Sequence, residues 1–71
     1  MKNKVKMYWI YYGQGDYTPF RRVCYERTLK RHLVSLKKKF GNVMVTDNKF
    51  SFEPKFVWDV EKTLKELGVN S

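Results

Sequence analysis

The chain has 71 residues, with 15 Lys+Arg against 7 Asp+Glu, a formal net charge of +8, and 42% hydrophobic and 17% aromatic positions. At this length folding buries only about 60% of the surface of the unfolded chain, which leaves one small core over residues 1–71 and no room for a second domain with an enclosed cofactor cavity. The apolar content excludes intrinsic disorder, which goes with low hydrophobicity and high charge.

Residues 4–12, KVKMYWIYY, alternate two sets of side chains, and aromatic and β-branched residues at period two mark a strand. The reading places Val5, Met7, Trp9 and Tyr11 against the core. It leaves Lys4, Lys6, Tyr8, Ile10 and Tyr12 on an open sheet surface. The three lysines before this run superficially copy a signal peptide. The apolar stretch is too short and tyrosine-rich for an h-region, no small-residue cleavage site follows, and nothing approaches the roughly 18 apolar residues of a membrane span. Gly13-Gln14-Gly15-Asp16 tolerates positive φ and predicts a tight reversal, with FRRVCY, residues 20–25, as the return strand. Cys24 is the only cysteine, so no internal disulfide is available, which points to a reducing cytoplasm. On a strand it reads as a small buried hydrophobe.

At about 100° per residue, Tyr25, Leu29, Leu33, Leu36 and Phe40 fall on one stripe. Extending that helix back to Thr18-Pro19 breaks its phase, so it is expected from Glu26 to Lys39, with Gly41 just past its end. Val43–Thr46 and Lys49–Glu53 read as two short strands around Asp47-Asn48. Pro54 suits the first turn of a second helix over 54–67, with Phe56, Val57, Val60, Leu64 and Leu67 inward, Trp58 off the stripe and Gly68 closing it. A competing reading continues Phe50, Phe52, Phe56 and Trp58 at period two, with Asp59 capping a shorter helix. The order is ββαββα, with βαββα as the alternative. It predicts an α+β fold of two layers: a mainly antiparallel four-stranded sheet with both helices on one face.

The charge is unevenly placed. Residues 1–20 carry three bases and one acid, residues 21–39 eight bases and one acid, and residues 40–71 four bases and five acids, giving +2, +7 and −1. On the first helix Arg27, Lys30, Arg31, Lys37 and Lys38 lie opposite the apolar stripe. A helix that needed only solubility would mix Glu with Lys at i,i+4, as the second helix does. One-sided basic clustering is the footprint of phosphate contact, and five such bases predict a log–log salt slope of about −4 to −5. Arg21 and Arg22 on the return strand extend the basic segment. Lys4, Lys6, Tyr8 and Tyr12 on the open sheet are candidates for holding phosphates and stacking bases. Tyr17, Phe20 and Trp58 are further candidate contacts. Gly13-Gln14-Gly15 lacks the third glycine and the βαβ context of a phosphate-binding loop. His32 has no second ligand or acid–base partner at useful spacing.

The opening MYWIYYGQGDYTPFRRVCY followed by ERTLKRHL, about a third of the chain, is loosely similar to the start of GIY-YIG nucleases, whose tyrosine-bearing hairpin precedes a helix with catalytic Arg and often His. The Gly-Ile-Tyr triplet, the glycine of the second triplet and the metal-binding glutamate have no counterpart here, so no catalytic residue carries over. The sequence therefore predicts a small cytoplasmic nucleic-acid-binding protein, DNA or RNA, without catalytic residues, metal or cofactor. It would not bind membranes, because the apolar stripe of the first helix is needed for the core. An exposed edge strand leaves it a monomer or homodimer. The alternative is a protein-interaction module of phage or mobile-element type that docks on an acidic partner.

Overall fold

The computed structural model describes residues 6–15, 17–47 and 53–69. The chain runs β1 (Met7–Gly13), β2 (Phe20–Tyr25), α1 (Glu26–Phe40), β3 (Asn42–Thr46), β4 (Lys55–Phe56) and α2 (Val60–Leu67). The order is thus ββαββα, and strand β2 occupies the place of the helix start that Thr18-Pro19 offered. The sheet order is β2-β1-β3-β4 with every pair antiparallel, and both helices pack on one face in a two-layer α+β fold.

Local chemistry explains the boundaries. Gly15 takes φ 66° in the β1–β2 turn, which the Tyr17 N–H closes by donating to the Gln14 carbonyl at 3.3 Å. Tyr25, extended at φ −94° and ψ 161°, ends β2, and the Glu26 N–H donates to the Lys6 carbonyl at 3.0 Å, tying the start of α1 to the strand beside it. Glu26 in the first turn and Lys37, Lys38 and Lys39 in the last both suit the helix dipole, and Gly41 stops the helix at φ 77°. In α2 the Asp59 carboxylate accepts from the Lys62 N–H at 3.3 Å, and Gly68 supplies the left-handed cap.

The second helix is therefore shorter than 54–67, and the competing reading describes it. Pro54 precedes an edge strand, where a missing N–H removes no ladder bond, and the Asp59 cap sets the helix start. Val57 is buried from the strand side, its N–H donating to the Val43 carbonyl at 2.8 Å. Asn48, Phe50, Phe52 and most of the strand expected over 49–53 lie outside the described residues.

The faces of β1 are the reverse of the expectation. Tyr8 and Ile10 are fully buried and Tyr12 packs against the core, whereas Met7, Trp9 and Tyr11 turn to the opposite face. Alternation defines two faces without saying which is inward. The register decides it: Tyr8 lies across from Cys24, Ile10 from Val45 and Tyr12 from Val43, all buried apolar positions that meet Leu29, Leu33 and Leu36 of α1. Tyr12, Phe20 and Phe40 close one end of this core with ring centroids 4.8 to 6.1 Å apart. Tyr25 is not in the helical stripe: it is 48% exposed on β2.

Cys24 is free and buried, and burial pushes its thiol pKa up against the pull of Arg22. Ellman's reagent at pH 7.5 should react with the native protein only at the rate of opening, and at once in denaturant. Fast native labelling would contradict this burial.

Candidate nucleic-acid interface

With Leu29, Leu33 and Leu36 on the core, the 3.6-residue period carries Arg27, Lys30, Arg31 and Lys38 to the outer face of α1. They surround a shallow open groove of about 610 Å³, floored by Val34 and Ser35. Lys30 pairs with Glu61 of α2 at 2.9 Å, but both side chains are about half exposed, so the pair contributes at most about 1 kcal/mol. Among the described residues no acid pairs with Arg27, Arg31 or Lys38. Lys37 departs from this group: its ammonium donates to the Gly41 carbonyl at 2.8 Å and lies 5.1 Å from the Phe56 ring centroid. It caps the helix C-terminus, so four of the five expected ridge bases stand together.

Strand alternation separates the two arginines of β2. Arg21 lies across from Tyr11 and faces away from the helices, while Arg22 lies across from Ile10 on the helix side. The Arg22 guanidinium sits 5.7 Å from the Tyr12 ring centroid and 3.4 Å from His32 Nδ1. A guanidinium only donates, so Nδ1 accepts and the imidazole proton is on Nε2. Burial first, then Arg22 and Arg31, lowers the His32 pKa from its ordinary 6.5. The unfolded chain therefore takes up a proton at higher pH than the folded one. Stability from this site is complete above about pH 6.5 and is lost as pH falls through the lowered folded value. Urea unfolding at pH 7.5 and pH 5 should show a midpoint loss in the parent protein that shrinks in His32→Gln; an equal loss in both would remove His32 as its cause.

The expected strand contacts fare differently. Tyr8 has no exposed ring face, and Tyr12 is held between Phe20, Phe40 and Arg22, so neither offers a stacking surface. Burial raises the Tyr8 phenol pKa. The Lys6 ammonium, 5.6 Å from the ring centroid, pulls the other way, yet the buried hydroxyl has no partner in hydrogen-bonding geometry. Lys6 itself is exposed at the rim of the helix side and pairs with Asp47 at 3.5 Å. Lys4 lies outside the described residues. Tyr17 is 77% exposed, Trp58 is 81% exposed, and Phe20, though half exposed, belongs to the aromatic cluster at the end of the core.

Inverting β1 puts other residues on the open face: Trp9, Tyr11 and Tyr25, with Arg21 beside Tyr11. The signal that finds them is the apolar pair Val43 and Val45, which requires Ile10 and Tyr12 as inward partners. The basic groove and this open face lie on opposite sides of the molecule, with the helix layer and the sheet between them. Comparison of the chain with protein-family models, with curated proteins and with solved structures finds no match. Among the described residues no helix is long and apolar enough to cross a membrane.

Proposed function

We propose that this α+β domain binds nucleic acid and holds phosphates along the outer face of α1. The observation that carries the reading is the exposed set Arg27, Lys30, Arg31 and Lys38, which has Glu61 as its sole acidic neighbour among the described ion pairs. Arg27 and Arg31 stand at i,i+4, where like charges cost a few tenths of a kcal/mol, and a bound polyanion reverses that sign. The elongated row of cations over three helical turns fits successive phosphates better than a single small anion.

Fluorescence anisotropy of labelled DNA and RNA oligomers at rising salt tests the proposal. Four phosphate contacts predict a log–log slope of about −3.6 for duplex and about −2.8 for single strands. No binding at low salt overturns it.

A further inference from the structure

The sheet face turned away from both helices carries a row of aromatic rings. Trp9 and Tyr11 are two residues apart on β1, hence about 7 Å along the strand. Tyr25 lies across from Met7 and Trp9 across from Val23, so Tyr25 is the diagonal neighbour of Trp9, about 7–8 Å away. Arg21 stands directly opposite Tyr11 and is the only charged residue on this face among the described strand residues. On the other side of β1, Phe56 lies across from Met44, and the Trp58 ring packs 4.4 Å from that of Phe56. The fold buries Tyr8 with an unpartnered hydroxyl while Trp9, Tyr11 and Tyr25 keep contact with solvent. Tyr25 and its neighbour Val23 are exposed and Trp9 and Tyr11 are half-buried beside them, and a contiguous apolar patch of this kind on a small domain marks a binding surface.

We infer that this open face is a base-stacking platform for single-stranded nucleic acid, with Tyr25, Trp9 and Tyr11 taking successive bases and Arg21 a phosphate. The inference rests on the nucleic-acid reading above and adds to it a second surface and the strandedness of the ligand. Charge selects the occupant. A second copy docked face to face would bury Arg21 against a surface whose described strand residues include no acid to pair it, whereas a nucleic-acid strand brings both the anion and the rings. Duplex bases are already stacked on each other, so only an unpaired strand offers faces at this spacing.

The test uses the intact chain and three probes of about 12 nucleotides: oligo-dT, oligo-U and an abasic deoxyribose-phosphate strand. In Trp58→Phe protein, emission from Trp9 should be quenched by the two base-bearing strands and not by the abasic one. Base-bearing strands should bind about tenfold or more tightly than the abasic strand. Tyr25→Ala and Arg21→Ala, both at exposed positions of an edge strand and checked by circular dichroism, should each weaken base-bearing strands while leaving the abasic strand nearly unchanged or, for Arg21→Ala, modestly weaker. Equal affinity for all three probes, with both variants silent, overturns the platform and leaves the α1 phosphate site standing. Binding of none of the probes overturns the platform, and failure of a duplex to bind at low salt as well overturns both. Sedimentation showing a dimer that Tyr25→Ala dissolves, with no base-dependent affinity, also overturns it and gives the face to a second copy.

Discussion

With Arg27, Lys30, Arg31 and Lys38 all replaced by Ala, the proposed nucleic-acid binding should lose most of its salt dependence. Each phosphate contact contributes about 0.9 to the log–log slope, so four contacts make a fourfold rise in salt, from 50 to 200 mM, cost about 150-fold in affinity. The variant should lose a few-fold at most over that range, and its affinity at 50 mM should be lower by about two orders of magnitude. Folding is not at risk: these side chains are exposed, surface changes usually stay within about 0.5 kcal/mol, and the substitution relieves the Arg27–Arg31 repulsion. The Glu61–Lys30 pair supplies a control of opposite sign. Glu61→Gln removes the acid beside the groove and frees Lys30, so it should tighten binding several-fold. An unchanged slope in the fourfold variant would exclude α1 as the phosphate site.

The helix was legible because its signal is redundant: Leu29, Leu33 and Leu36 recur at helical spacing, the phase fails before Glu26, and Gly41 stands where the stripe stops. The basic outer face followed from the same wheel, apart from Lys37, whose capping of the Gly41 carbonyl depends on the geometry of the helix end. The open face was not legible from β1 alone. Tyr8, Ile10 and Tyr12 are no more apolar as a set than Met7, Trp9 and Tyr11, so the local pattern is degenerate. What breaks the tie is long-range pairing with Val43, Val45 and Cys24, some 16 to 35 residues away. The start of α2 failed for a related reason. Pro54 suits both a helix N-terminus and an edge strand, and the pairing of β4 with β3 and the Asp59 cap choose between them. Local preference thus placed the basic face, and tertiary register placed the aromatic one.

Gly13→Ala should cost about 3 kcal/mol of folding stability, the upper range for overpacking a tight site. The sequence presents Gly13 and Gly15 as equivalent turn glycines, but they do different work. Gly15 has φ 66° and open space around it, so Ala there meets only the left-handed backbone penalty of about 1 kcal/mol. Gly13 does not have positive φ. It is the buried last residue of β1, paired with Asn42, and the connection to β2 folds back over it. A methyl group there would sit 2.6 Å from Pro19 Cδ and 3.0 Å from Thr18 Cα, and would also strike the Tyr17 carbonyl. These are backbone and ring atoms with no rotamer to yield, so residues 17–19 must lift and loosen the β1–β2 hairpin that carries Phe20 to the aromatic end of the core. Without a clash, Gly→Ala would stabilise by about 0.4–1 kcal/mol through the unfolded chain, so the sign of the change separates the two accounts. Total stability for 71 residues is of the order of 4–10 kcal/mol, so the loss is a large fraction and easily read in urea. A Gly13→Ala midpoint at or above that of Gly15→Ala would show that the connection does not close over Gly13.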